Sequence, residues 1–295
     1  MKKNSDTLYS GTLKPKNSKL FFVDTHCHIH DSEFVKKYDK SQDEIISDAK
    51  KAGVKKLVCV GTSLQSSLEA VAFCKGREEC FASLAIHPHE VAEHKIDDLL
   101  EQFSIFEKLL DEDNGKIVAI GECGLDYYYH DSKSVRKNQI TLFERHIKLA
   151  SKYNLPMIFH IRDAQKQDEP ATEQAFDDFF KIMDMYPEIN GVVHSFSAEI
   201  DQLRGCIERG FYVGLNGIMT FTRDEKQLEA AKAVPLNKLL LETDAPFLTP
   251  APFRGKMCEP KHVGTTAEFL SKLRGETLEE IAENTSHNAK KLLGL

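Results

Sequence analysis

Residues 116–126 read KIVAIGECGLD, an apolar run followed by Gly121 and then a carboxylate at Glu122. Four other runs follow the same plan: FFVDTHCH (21–28), LPMIFHIRD (155–163), INGVVHSFS (189–197) and LLLETDAP (239–246). They end on His26 and His28, on His160, on His194 and on Asp244, all residue types that bind metal. A scattered set of histidines means little, because each can be an ordinary core or surface residue. Here the polar residue falls every time where a hydrophobic strand runs out. In parallel α/β proteins that place is the carboxyl edge of the sheet, where active sites are built.

Outward from these runs, strand signals recur at 20–25, 54–60, 81–86, 116–121, 156–160, 191–194, 211–214 and 238–242. Their near-continuous Val, Ile, Leu and Phe content suits strands buried on both faces of a parallel sheet. Amphipathic stretches lie between them, such as DEIISDAKKAG, IDDLLEQFSIFEKLLDE and VRKNQITLFERHIKLASKY. Ser41 with Glu44, and Thr277 with Glu280, have capping-box spacing at helix starts. Gly53 and Gly210 stand where a helix gives way to the next strand. Eight strands with interleaved helices predict an α/β fold: one (β/α)8 TIM barrel over 20–295, with its active site at the C-terminal face. A single barrel of this kind runs to about 250 residues, so the 295 of this chain need no second domain. Residues 1–19 are a polar, Lys-rich extension expected to be poorly ordered, and 126–134 read as a long active-site loop.

Composition narrows the partners. A total of 39 Lys+Arg against 46 Asp+Glu gives a net charge of −7. No broad basic field exists to hold nucleic acid by counterion release alone, so an anionic substrate needs bound metal and local cations. The seven cysteines are odd in number and contain no C-x-x-C pair, which fits a reducing compartment. The first residues lack the apolar core of a secretory signal, and no stretch approaches the ~18 apolar residues of a membrane span. The expected location is the cytoplasm, or the nucleus in a eukaryote, with no membrane association and no evident protein partner.

His26 and His28 stand two apart at a strand end, so both imidazoles project to one face and can grip one ion. Asp24 shares that parity and is a candidate to orient a ligand imidazole. Gly121 lets backbone or ligand approach Glu122, whose two oxygens can bridge two cations. Glu242, two before Asp244, is expected on the same side as a supporting group. Six nitrogen and oxygen ligands at five strand ends suit two divalent ions sharing a carboxylate and a water or hydroxide. Zinc, manganese or magnesium are the candidates, since calcium favours all-oxygen cages. The chemistry of such a pair is hydrolysis. No G-x-G-x-x-G helix start, P-loop or G-x-S-x-G elbow offers another route.

The ordered segments DTHCHIH, AIHPHE, GECGLDYY, FHIRDA, HSFSA, ETDAPFLTP and FRGKMCEP resemble the motif series of the TatD family of metal-dependent deoxyribonucleases, from about Leu20 to the C-terminus. Related amidohydrolases often carry a lysine at the fourth strand, where this chain has Glu122. The resemblance implies a TIM barrel with two divalent ions, one held by His26, His28, Glu122 and Asp244, the other by Glu122, His160 and His194. It implies hydrolysis of DNA phosphodiester bonds, exonucleolytic from the 3′ end of single strands, with Glu122 and Asp244 catalytic and Asp244 handling the attacking water. His87 of the H-P-H element, Arg162 and Arg254 become the expected phosphate contacts. Tyr127, Tyr128 and Tyr129 are the aromatics offered for stacking a base. Two alternatives stay open: hydrolysis of an amide, lactone or aminoacyl ester in the wider amidohydrolase style, and a non-catalytic metal-binding scaffold.

Overall fold

A computed structural model describes residues 20–128, 132–164 and 174–295. The 1–19 extension and Tyr129 lie outside the described residues. Eight parallel strands form one sheet in sequence order: β1 Phe22–Cys27, β2 Val54–Val60, β3 Cys80–Leu84, β4 Ile117–Asp126, β5 Met157–Arg162, β6 Gly191–Val193, β7 Tyr212–Leu215 and β8 Leu239–Leu241. The sheet closes on itself where β1 meets the chain leaving β8. Cys27 bridges Ala245, His28 N–H donates to the Ala245 carbonyl at 2.7 Å, and Asp244 N–H donates to the His26 carbonyl at 2.8 Å. Helices between successive strands form the outer ring, as a right-handed β-α-β path requires.

The capping boxes form as read. Ser41 N–H meets Glu44 and Thr277 N–H meets Glu280, each at 2.8 Å, and each N-cap hydroxyl accepts from the third helical amide. Gly53 and Gly210 take φ of +91° and +79°, a region that favours glycine and turns the chain from helix into strand.

Strand parity sorts the barrel interior. Val23, Val58, Phe81, Val118, Ile158, Val192, Tyr212 and Leu240 pack inside its lower half, together with Ala289, Leu292 and Leu293 from the C-terminal helix Leu278–Leu293. Two residues further along a strand, the same inward parity brings Ile158 to His160, Val192 to His194, Tyr212 to Gly214 and Leu240 to Glu242. The apolar floor and the polar mouth are thus written on the same strand faces.

One boundary differs from the sequence reading. β4 runs on past Glu122 to Asp126, because Gly121 and Gly124 sit at φ of +151° and +149° against β5. A Cβ on Gly121 would lie 2.5 Å from the Ile158 carbonyl, and one on Gly124 would collide with the His160 carbonyl. The close approach at Gly121 is therefore by the neighbouring strand. The expected 126–134 loop shortens from both sides, since the next helix starts at Lys133 under a Ser132 cap.

Candidate metal centre

The six expected ligands converge at the barrel mouth around Glu122. Its Oε1 lies 2.7 Å from His160 Nδ1, 2.8 Å from His194 Nε2 and 3.5 Å from His87 Nε2. Its Oε2 lies 3.3 Å from His26 Nε2 and 4.0 Å from His28 Nε2. Asp244 Oδ1 completes the second set, 3.3 Å from His28 Nε2 and 3.6 Å from His26 Nε2. Within each of three triads, His26–Glu122–His194, His26–His28–Asp244 and His87–Glu122–His160, the donor atoms lie within 4.8 Å of one another. Each oxygen of one carboxylate thus faces its own group of imidazoles.

Local hydrogen bonds fit these rings to a cation. His28 Nδ1 lies 2.9 Å from the Val60 carbonyl, which can only accept, so that nitrogen carries the proton and Nε2 presents a lone pair. That lone pair points at His26 Nε2, 3.1 Å away, an arrangement that a shared cation satisfies. Asp126 Oδ2 takes His160 Nε2 at 2.9 Å, turning Nδ1 towards Glu122. Glu242 lies 3.5 Å from His194 Nδ1, turning Nε2 the same way. Outer partners of this type fix tautomer and ring direction in metal sites. Two of the rings lack a hydrogen bond at the outer nitrogen: buried His194 Nδ1 has only the ion-pair approach to Glu242, and His26 Nδ1 has no hydrogen-bond partner, its ring stacking on His194 with centroids 4.0 Å apart.

Electrostatics agree with the geometry. Burial pushes the Glu122 carboxyl up, but the charges of His194 and His26 and hydrogen bonds from His160 and His194 hold it well below the usual carboxylate range. Burial pushes His194 down, and Glu122 outweighs it, so His194 ends well above the ordinary imidazole value. Such opposed shifts mark a site built around positive charge shared with a carboxylate. Asp244 sits at φ +59°, and its side chain is 15% exposed against 7% for Glu122. It is the carboxylate that opens towards solvent.

Asp126 went unnoticed in the sequence. Fully buried, it also accepts from His89 Nε2 at 2.9 Å and from Tyr128 N–H. Its signal was parity, since Glu122, Gly124 and Asp126 alternate along one strand. Glu242 does take the supporting place expected of it, accepting from Ser195 N–H while Gly214 leaves room for its carboxylate.

Two other expectations, at Asp24 and at Tyr127, are corrected. Asp24 does not orient an imidazole: its carboxylate accepts from Thr243 N–H and Oγ1 at 2.9 and 2.6 Å and from His26 N–H at 3.3 Å. The register shift between Asp24 and Cys27 breaks the assumed parity, and Asp24 ties β1 to the chain after β8 instead. His87 turns inward to Glu122, and burial, reinforced by the charge of His160, lowers its pKa to about 4. Arg162 lies over the Tyr128 ring at 3.7 Å from its centroid. Arg254 lies over Phe221 at 3.8 Å and donates to the Thr249 carbonyl. Tyr127 is buried, its hydroxyl on Asp178 and its ring under Arg136.

A sequence profile described as "TatD related DNase" matches residues 23–294. The chain belongs to the TatD family. It is 34% identical to the metal-dependent hydrolase YabD of Bacillus subtilis over 91% of this chain and 97% of that one. It is also 34% identical to a Schizosaccharomyces pombe protein named Deoxyribonuclease Tat-D, over 87% and 88% of the two chains. Among solved structures, the TatD homologue YjjV of Escherichia coli superposes with a TM-score of 0.79 at 28% identity, covering 93% of this chain and 98% of its own. This TatD protein is accordingly a metal-dependent hydrolase on a TIM barrel, with a buried His, Glu and Asp cluster suited to divalent ions. No helix among the described residues is long and apolar enough to cross a membrane.

Proposed function

We propose that the protein is a deoxyribonuclease with two divalent ions, zinc, manganese or magnesium, that hydrolyses phosphodiester bonds of single-stranded DNA or 3′ ends in the 3′ to 5′ direction. The observation that carries this reading is the division of Glu122, with Oε1 facing His160 and His194 and Oε2 facing His26. The name of the S. pombe relative supports DNA as substrate. One ion falls to His26, His28, Glu122 and Asp244, the other to Glu122, His160 and His194. When bound, such ions bring the pKa of water towards ~7 and clamp the attacking and leaving oxygens of a displacement.

The chain's own groups divide the remaining work. Asp244, the more exposed of the two carboxylates and fixed by its amide to His26, takes the proton of the attacking water. Val60, Asp126 and Glu242 hold the rings of His28, His160 and His194 in the binding tautomer. Arg162 at the end of β5 and Arg254 on the loop after β8 supply local positive charge for phosphate in a chain of net charge −7. All seven cysteines are free and buried, which supports the reducing cytosol as its place of work.

The test is digestion of 3′- and 5′-labelled single-stranded oligonucleotides with and without chelator. We expect a ladder receding from the 3′ end that chelator abolishes. A metal-loaded protein inert on DNA but active on cyclic amides or lactones would replace this reading.

A further inference from the structure

Four large apolar side chains are exposed among the described residues: Ile105, Met185, Ile200 and Phe247. The first three lie on or beside the helices of the outer ring. Phe247 is different, standing 42% exposed on the turn that carries Asp244. That turn is tied down on several sides. Phe247 N–H donates to the Asp244 carbonyl at 2.8 Å, Cys258 N–H to the Pro246 carbonyl at 3.1 Å, and His28 N–H to the Ala245 carbonyl. The ring is therefore placed relative to the metal centre and not merely left on a loose loop.

Phe247 also has an aromatic companion. Phe34, from the short helix Ser32–Val35 after β1, meets it edge to face with centroids 5.0 Å apart. The two rings lie 6.2 and 6.3 Å from the His28 ring, and Lys37 Nζ stands 5.1 Å from the Phe34 centroid. Flat apolar surface, a cation and a metal-ligand imidazole thus adjoin at one point of the rim. Exposing part of the ring forfeits part of its transfer free energy and leaves an aromatic face open at the rim. The tyrosines that the sequence offered for stacking are otherwise engaged, Tyr127 under Arg136 and Tyr128 under Arg162.

We infer that Phe247, braced by Phe34, is the stacking platform for the nucleobase next to the scissile phosphate. This rests on the deoxyribonuclease reading and names how that site grips its substrate. The phosphate meets the metal centre, the base lies on the rim ring, and Lys37 faces the adjoining backbone. Every nucleobase has a π face, so such a platform gives affinity without strong sequence preference.

The test is steady-state cleavage of short single-stranded DNA by the metal-loaded full chain. Phe247→Ala should raise KM about tenfold and change kcat by less than about twofold, because a base stacked equally in ground and transition states contributes to binding alone. Phe247→Trp should restore KM. Phe34→Ala should give a smaller rise of about threefold, with a melting temperature check because Phe34 is half-buried. A second measurement places a base-free tetrahydrofuran nucleotide at each position near the 3′ end in turn. The parent protein should show a KM penalty at one position, and Phe247→Ala should lose that penalty.

Three results would overturn the proposal. In the first, DNA is cleaved but Phe247→Ala keeps the parent KM. In the second, its KM loss is the same at every base-free position. In the third, kcat falls while KM holds, which would make Phe247 a prop for Asp244. If the parent protein binds metal and cleaves no DNA, the deoxyribonuclease reading itself fails, and that outcome is distinct from the other three.

Discussion

Histidines at the mouth of this barrel and a histidine in its outer wall of helices, His146 on the helix Lys133–Tyr153, do opposite things. In the wall, both ring nitrogens of His146 are taken up by backbone: Nε2 accepts from Ile86 N–H at 3.0 Å, and Nδ1 donates to the Leu142 carbonyl at 2.8 Å. Nothing is left over for a ligand. At the mouth, His28 and His160 each give one nitrogen to a supporting acceptor, His194 sets Nδ1 3.5 Å from Glu242, and all three aim the other nitrogen at Glu122 or Asp244. His28 and His194 are buried as His146 is, so burial does not separate the two groups. What separates them is whether the second nitrogen meets a carboxylate shared with other rings.

Changes at the mouth should be the most damaging to activity. Glu122→Ala removes the one group common to both proposed ligand sets, and cleavage of labelled single-stranded DNA should fall to background. Cleavage at the parent rate would break the comparison at its centre. Asp126→Asn and Glu242→Gln leave the proposed ligands in place but weaken the grip on His160 and His194. Metal affinity by titration, or kcat, should drop roughly 10- to 100-fold in each, as for other outer partners of metal-bound histidine. Unchanged affinity would mean that strand geometry alone aims the rings.

The wall should answer to pH and not to metal. Burial lowers the His146 pKa to about 3, with the Leu142 carbonyl acting the other way. In the unfolded chain its pKa is near 6.5, so below that pH the unfolded state binds a proton that the folded state refuses. The contribution of neutral His146 is whole above pH 6.5 and drains away as pH falls towards 3. Urea midpoints at pH 7 and pH 5 should show this loss, up to about 2 kcal/mol. His146→Gln should flatten the profile. An equal slope in that variant would assign the acid sensitivity elsewhere.

The sequence made most of the barrel legible because parallel strands buried on both faces read as plain apolar runs. The mouth was legible for a related reason. A strand's period of two carries the inward face from Ile158 to His160 and from Val192 to His194. The misses share one cause, the places where that period breaks or stops applying. β4 runs on through two glycines to Asp126, so a buried carboxylate was hidden in what reads as a loop. A register shift in β1 sends Asp24 to Thr243. The H-P-H element enters a short 3-10 turn at Pro88, which aims His87 back at Glu122. Phe34 and Phe247 carry no signal of their own, since only the closed barrel brings residues so far apart in sequence to one rim.

The claim that one carboxylate joins two ion sites is tested most directly by counting bound metal in the purified parent protein and in Glu122→Ala. Inductively coupled plasma mass spectrometry after dialysis against trace metal would supply the number. Two ions per parent chain and none held tightly by the variant is the predicted result. One ion in the parent, or two retained in Glu122→Ala, would contradict it.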